Sequence, residues 1–253
     1  MTRATPAEAG EKAAAASEIR LLSFGDTALT VEFGSVIDAG LNARVLALDA
    51  ALASEAPRGV LETVPTYRSL LVIFDPLVVD LPGLKTRIRA LAASDIAVKR
   101  SARRWRVPVV YGGAFGMDLE ATAAVHGLSA EELIGRHQGA TYTVAMIGFM
   151  PGFAYLSGLD PALATPRRPE PRQLVPAQSV SIGGAQCAIS SVEGPSGWHM
   201  LGRTPVRGFM PQREPVFLYE PGDAIRFERI AADEWPALDQ RAAAGEPVAV
   251  SEP

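Results

Sequence analysis

The sequence predicts two parts in series, a small α+β domain over residues 19–100 and a mainly-β barrel domain over residues 101–232. Two observations carry this division. The first hundred residues alternate strand-like and helix-like apolar periods. Beyond Gly139 no good helical period remains, and short apolar runs recur between Pro and Gly, as in a closed or nearly closed barrel. The chain of 253 residues is long enough for two such domains.

The elements follow in order. Two short strand-like runs flank a turn at Gly25-Asp26, with Leu29, Val31 and Phe33 alternating against polar neighbours. Leu41, Val45, Leu48 and Leu52 then recur at helical spacing behind Asp38, a good N-cap. The run 69–74 reads as a buried strand. Leu81, Leu84, Ile88 and Leu91 share one face of a second helix, with Pro82 suited to its first turn. This order suggests helices on one side of a sheet.

Residues 104–110 read as a strand leading into the glycine turn Tyr111-Gly112-Gly113. Two short helices follow over 118–126 and 129–138, the second opened by Ser129 and Glu132 in a capping box. Strands are expected at 142–149, 179–182, 186–192, 216–220 and 224–230. The turn Glu220-Pro221-Gly222-Asp223 should join the last two, because Gly at its third position accepts positive φ. Residues 1–18 read as a disordered tail, and the Ala/Pro-rich residues 233–253 as a loosely docked one.

Composition removes several functions. The net charge of −4 offers no basic field for nucleic acid or anionic lipid. No apolar run reaches the ~20 residues needed to cross a bilayer. The lysines are Lys12, Lys85 and Lys99, so the barrel segment holds no P-loop, Schiff-base or biotinyl lysine. The lone Cys187 permits no intrachain disulfide, which fits a reducing, cytoplasmic setting. His126, His137 and His199 show no metal-ligand spacing, so no metal site is expected.

The segment Gly148-Phe149-Met150-Pro151-Gly152-Phe153-Ala154-Tyr155-Leu156 is the most unusual stretch. Two glycines and a proline interrupt an apolar strand and gather three aromatics. That makes either a pocket or interface wall, or a tight barrel corner with core rings. Arg167, Arg168 and Arg172 then sit on a proline-stiffened loop and suit capture of carboxylate, carbonate or phosphate, or a solvated surface. His137, at a helix end, suits a C-terminal cap or a base. His199, after Trp198, suits a pocket rim. Cys187 reads as a buried inert thiol unless a base lies beside it. No catalytic engine is evident in the chain alone.

Gly148-Phe-x-Pro-Gly-Phe-x-Tyr-Leu156, Thr165-Pro-Arg-Arg168, Val175-Pro-Ala177, Ser179-Val180 and Leu201-Gly-Arg-Thr-Pro205 resemble the allophanate hydrolase subunit 1 family. It is also called carboxyltransferase subdomain C and D. Gly25-Asp-x-Ala28, Pro65-x-Tyr-Arg-Ser-Leu70 and Pro108-Val-x-Tyr-Gly-Gly113 agree, so the resemblance runs from about Ile19 to Ile230. It implies a cyclophilin-like barrel and a homologous second half on a separate chain. It also implies a non-autonomous subunit of an ATP-dependent 5-oxoprolinase or related amide- or lactam-processing complex, with a lactam-utilisation-type subunit completing it. ATP would be used by the assembly and no cofactor bound by this chain alone. The family also holds a regulatory inhibitor of a sensor histidine kinase and the first half of a urea carboxyltransferase. On this resemblance Phe149, Pro151, Phe153, Tyr155, Trp198 and His199 shape a substrate site or interface. Arg167 and Arg168 hold an anionic group, and Gln186 and Arg203 assist. Relatives commonly read Gln-Thr-Gly-Ile-Tyr-Pro where this chain has Gln186-Cys187-Ala188-Ile189-Ser190-Ser191. They commonly have Gly at the position of Gln178.

Overall fold

The computed structural model describes residues 19–94 and 102–252, and the chain divides into two compact units, Met1–Val98 and Lys99–Pro253. The tail expected over 1–18 lies outside the described residues.

Unit 1 is a four-stranded antiparallel sheet in the order β1-β2-β4-β3: β1 (Arg20–Phe24), β2 (Ala28–Glu32), β3 (Val60–Pro65) and β4 (Ser69–Phe74). Period-2 alternation turns Leu29, Val31, Leu70, Val72 and Phe74 to one face. There they bury against Val45, Leu48 and Leu52 of α1 (Ala39–Glu55) and Leu84, Ile88 and Leu91 of α2 (Leu81–Ala93). The helices start where local chemistry dictates. Asp38 accepts a hydrogen bond from the Leu41 amide, and Asp80 caps α2 just before Pro82. A shallow open groove of about 330 Å³ runs beside Arg58, Val79 and Arg87 wholly within this unit.

Unit 2 is a seven-stranded barrel with a few helices. Its strands are β5 (Arg104–Tyr111), β6 (Tyr142–Ile147), β7 (Ala154–Ser157), β9 (Ser179–Gly183), β10 (Gln186–Ile189), β12 (His199–Arg203) and β13 (Ala224–Arg229). They run in the ring β5-β13-β6-β7-β10-β9-β12, closed by β12 pairing back onto β5 at Gly202↔Tyr111 and Arg203↔Val110. The closure leaves only short stretches of free sheet edge. A side hairpin joins β8 (Arg172–Val175) to β11 (Gly194–Ser196). Two short helices, α3 (Leu119–Val125) and α4 (Ala130–Gly139), pack on the barrel. The Ser129/Glu132 capping box is formed as expected. Val107, Val109, Tyr142, Val144, Leu156, Ile182, Ile189 and Phe227 fill the interior.

Several expectations are corrected. Within the segment expected to be a loose tail, residues 233–252 are docked: α5 (Trp235–Ala243) is followed by β14 (Val250–Glu252), which pairs with the stretch of β5 that β12 leaves open. Small buried residues, Ala242, Val248 and Ala249, pack it, and they carry little periodic signal. Expected strand 216–220 contributes a single bridge, Phe209↔Phe217. The turn after it is present, with Gly222 at φ 94 and the Asp223 amide bonded to the Glu220 carbonyl, but it leads out of a loop. Part of the supposed proline loop is strand β8. His137 does not cap α4 towards solvent: it is fully buried, because its i−3 and i−4 neighbours Ile134 and Leu133 turn that helix face into the core.

Candidate functional site

β6 leaves the barrel at Ile147 and the chain re-enters at Ala154. The intervening turn is tight. The Met150 amide bonds to the Gly148 carbonyl at 2.8 Å, Phe153 to Met150 at 3.0 Å, and Gly148 back to Phe153 at 3.1 Å. The two-residue span of the first bond, with Phe149 at φ 69, is the strained, φ-positive form of the γ-turn. Its rings gather into a cluster. Phe149 meets Phe153 edge-on at 5.7 Å between centroids, and Phe153 meets Tyr155 at 4.7 Å and Trp198 at 6.4 Å. Tyr155 meets Trp198 at 5.9 Å. Gly183 makes room for the indole, since a Cβ there would lie 2.7 Å from the Trp198 ring. Arg167 lays its guanidinium over Trp198 at 5.5 Å. Burial raises the Tyr155 phenol above its ordinary range, with Arg167 pulling the other way. The phenol is therefore a neutral donor at physiological pH.

Phe149, Phe153, Tyr155, Trp198 and Arg167 are thus brought together. Pro151 anchors the turn, its carbonyl accepting from the Ser191 hydroxyl. Ser191 thereby fastens the aromatic turn.

The other expected site residues are placed differently. Arg168 is not a free anion holder. With Arg172 it grips Asp118, whose carboxylate takes two bonds from Arg172 at 2.7 and 2.6 Å, one from Arg168 at 3.4 Å and one from the Met200 amide at 2.8 Å. Burial alone would raise that carboxyl, but the Arg172 fork, the Met200 amide and the Arg168 charge together hold it below the usual range. The clamp ties the arginine segment to the start of α3. His199 donates from Nε2 to the Pro166 carbonyl at 2.8 Å, which fixes the loop carrying Arg167. Gln186 is buried at the start of β10 opposite Gly183.

Arg203 sits at the far end of β12 from His199. It donates to the Ala177 carbonyl at 3.1 Å and stacks on Trp235 of α5 at 5.0 Å, while Arg207 pairs with Asp239 of that helix at 2.6 Å. Its guanidinium therefore belongs to the docking of α5. Gln178 lies beside it, buried at φ 60, a conformation that favours glycine.

Cys187 has a base beside it after all. His137 Nε2 lies 3.5 Å from its sulfur, and the Tyr111 hydroxyl meets His137 Nδ1 at 2.8 Å. Desolvation drives the imidazole down to about 3 and the thiol upward, so both are neutral and the pair is no thiolate engine.

Asp118, Trp235 and the His137–Tyr111 bond escaped the sequence reading. Asp118 was legible only as a helix start, and Arg172 only as one of three guanidiniums. Among the described residues no cluster of His, Cys, Asp and Glu could hold a metal ion, and no helix is long and apolar enough to cross a membrane.

Residues 19–219 match the family described as carboxyltransferase domain, subdomain C and D. A curated relative from Bacillus subtilis (strain 168), named as a subunit of 5-oxoprolinase, is 36% identical over 229 residues, covering 85% of this chain and 95% of its own. Among solved structures, TTHA0988 is 35% identical with a TM-score of 0.73; the match covers 81% of this chain and 40% of that longer one. The Kluyveromyces lactis urea amidolyase shares the fold, with a TM-score of 0.76 at 18% identity over 92% of this chain and 16% of that one. The barrel, its aromatic turn and the arginine loop are accordingly those of a member of the carboxyltransferase subdomain C and D family.

Proposed function

We propose that the chain is a non-autonomous component of an ATP-dependent 5-oxoprolinase, contributing half of a composite site on a cyclophilin-like barrel. The observation that carries this reading is the aromatic cluster with Arg167 beside it, in a chain akin to a 5-oxoprolinase subunit. In this reading the flat lactam lies against Phe153, Tyr155 and Trp198. Arg167 presents its two-pronged donor face to the substrate carboxylate, and the Tyr155 phenol donates to a carbonyl. Stacking on Trp198 and the His199–Pro166 bond restrict the Arg167 rotamers, which lowers the entropy lost on binding.

In this reading the chain supplies walls and charge, and lactam opening draws its reacting groups from partner chains: a homologous second-half subunit and a lactam-utilisation-type subunit, with ATP used by the assembly in the cytoplasm. The neutral, buried pair of Cys187 and His137 supports that division.

Reconstitution tests it. The assembled subunits should convert 5-oxoproline and ATP to glutamate only when this chain is included. Arg167→Ala should raise KM at least tenfold, the worth of a charge-assisted hydrogen bond of about 1.5–3 kcal/mol. Full glutamate formation without this chain would end the proposal.

A further inference from the structure

Phe149 combines two costs that a residue with no task would not keep. Its side chain is 65% exposed, and its backbone is held at φ 69 in the centre of a strained γ-turn. Of the non-glycine residues at positive φ among the described residues, Ala56 closes a helix and Gln178 is buried; Phe149 alone holds an aromatic ring out to solvent there. A bulky side chain in this region is a genuine outlier, and glycine would remove the strain. The turn is also firmly built. Ser191 fastens Pro151, and Gly152 abuts Phe209, where a Cβ would come within 2.7 Å of that residue's side chain. The ring is braced edge-on by Phe153, and Phe153 by Trp198, which carries Arg167 on its face. Arg167 is exposed and, among the described residues, has no carboxylate partner; Arg168 and Arg172 beside it are both committed to Asp118.

An exposed aromatic ring held rigidly by its backbone and by Phe153 has the make-up of a binding hot spot, in which aromatic anchors fill a desolvated pocket. We propose that Phe149 is the anchor by which this barrel docks its second-half subunit, entering an apolar socket on that chain. The inference rests on the composite-site reading and names the contact that assembles it. Two observations favour a macromolecular occupant. The ring projects rather than lining a recess. And in TTHA0988 the matched region is 40% of one chain, so that relative carries the further polypeptide such a contact requires.

The experiment is titration of this chain with the purified second-half subunit by calorimetry, alongside Phe149→Gly and Phe149→Ala. No association of the wild-type chains would remove the composite-site reading itself, before any variant is compared. Given association, Phe149→Gly and Phe149→Ala should each weaken binding roughly 30-fold, the level that defines a hot spot. The melting temperature of free Phe149→Gly should stay within about 2 °C of wild type, because strain relief offsets the lost ring contact. Binding within threefold of wild type for both Phe149 variants would overturn the anchor. So would self-association of the wild-type chain that Phe149→Ala abolishes, or a loss of 5-oxoproline affinity in the complex with subunit affinity intact.

Discussion

Lowering the pH from 7 to 4 should destabilise unit 2 through one residue, His137. The imidazole is completely buried, stacked on Phe227 at 4.7 Å, edge-on to Tyr111 at 5.6 Å and tilted against Tyr142 at 5.3 Å. The titratable groups facing it are Tyr111, Tyr142 and Cys187; burial raises all three above their ordinary values, so all stay neutral across this range. Among the described residues no carboxylate meets the ring to stabilise a proton on it, and desolvation lowers it from 6.5 to about 3. The unfolded chain therefore takes up a proton between pH 6.5 and 3 that the folded chain refuses. Stability is fully present above 6.5 and falls as the pH drops, by up to about 1.4 kcal/mol per pH unit. Integrated from pH 7 to 4, the loss is about 3 kcal/mol, a large part of an ordinary folding free energy. Urea unfolding followed by tryptophan fluorescence at both pH values measures it. Carboxylates contribute acid sensitivity of their own, so the relevant quantity is the difference from His137→Gln, whose side chain cannot titrate. Wild type should lose about 3 kcal/mol more than the variant over this interval. Parallel curves would refute the reasoning. Imidazole NMR shifts provide a second reading that needs no variant: they should not move above pH 4, and a titration midpoint above 5 would be equally fatal.

Other consequences follow from the same contacts. Asp118→Asn leaves Arg172 and Arg168 without their shared carboxylate in a half-buried setting, and should cost about 2–3 kcal/mol, read as a lower urea midpoint at unchanged slope; an unchanged midpoint would show the clamp to be idle. Cys187, buried and beside a neutral imidazole, should resist a thiol-specific disulfide reagent in the folded protein and react fully once unfolded in urea. Prompt labelling of the native chain would contradict its burial. Trp235→Ala removes the ring that holds Arg203 and Phe115 and should loosen α5, so that limited proteolysis cuts near residues 231–234 before the barrel is touched. Cleavage kinetics like those of wild type would mean that Arg207–Asp239 and β14 suffice to hold the segment.

What the sequence disclosed, and what it withheld, follows from the range of each interaction. Asp38, Ser129 with Glu132, and the 3.6-residue rows of α1 and α2 are local, and each element lies where its own residues put it. A closed or nearly closed barrel was legible as an architecture because Pro and Gly punctuate its strands, although β12 was not among the strands expected. Its closure at Gly202↔Tyr111, between strands some ninety residues apart in sequence, was not legible. β14 was missed for a related reason: three residues earn strand character only by pairing with the open stretch of β5. The same distinction divides the site. Phe149, Phe153 and Tyr155 announced themselves because one short segment carries them, but the use of Arg168 depended on Asp118, fifty residues away. Sequence offered three equivalent guanidiniums on one loop. Pairing makes them unequal: two are neutralised to hold that loop in place, which leaves Arg167 over Trp198 as the charge available to a ligand or a partner. The clamp and the free cation are therefore one device, and a substitution at Asp118 should displace Arg167 as well as lower stability.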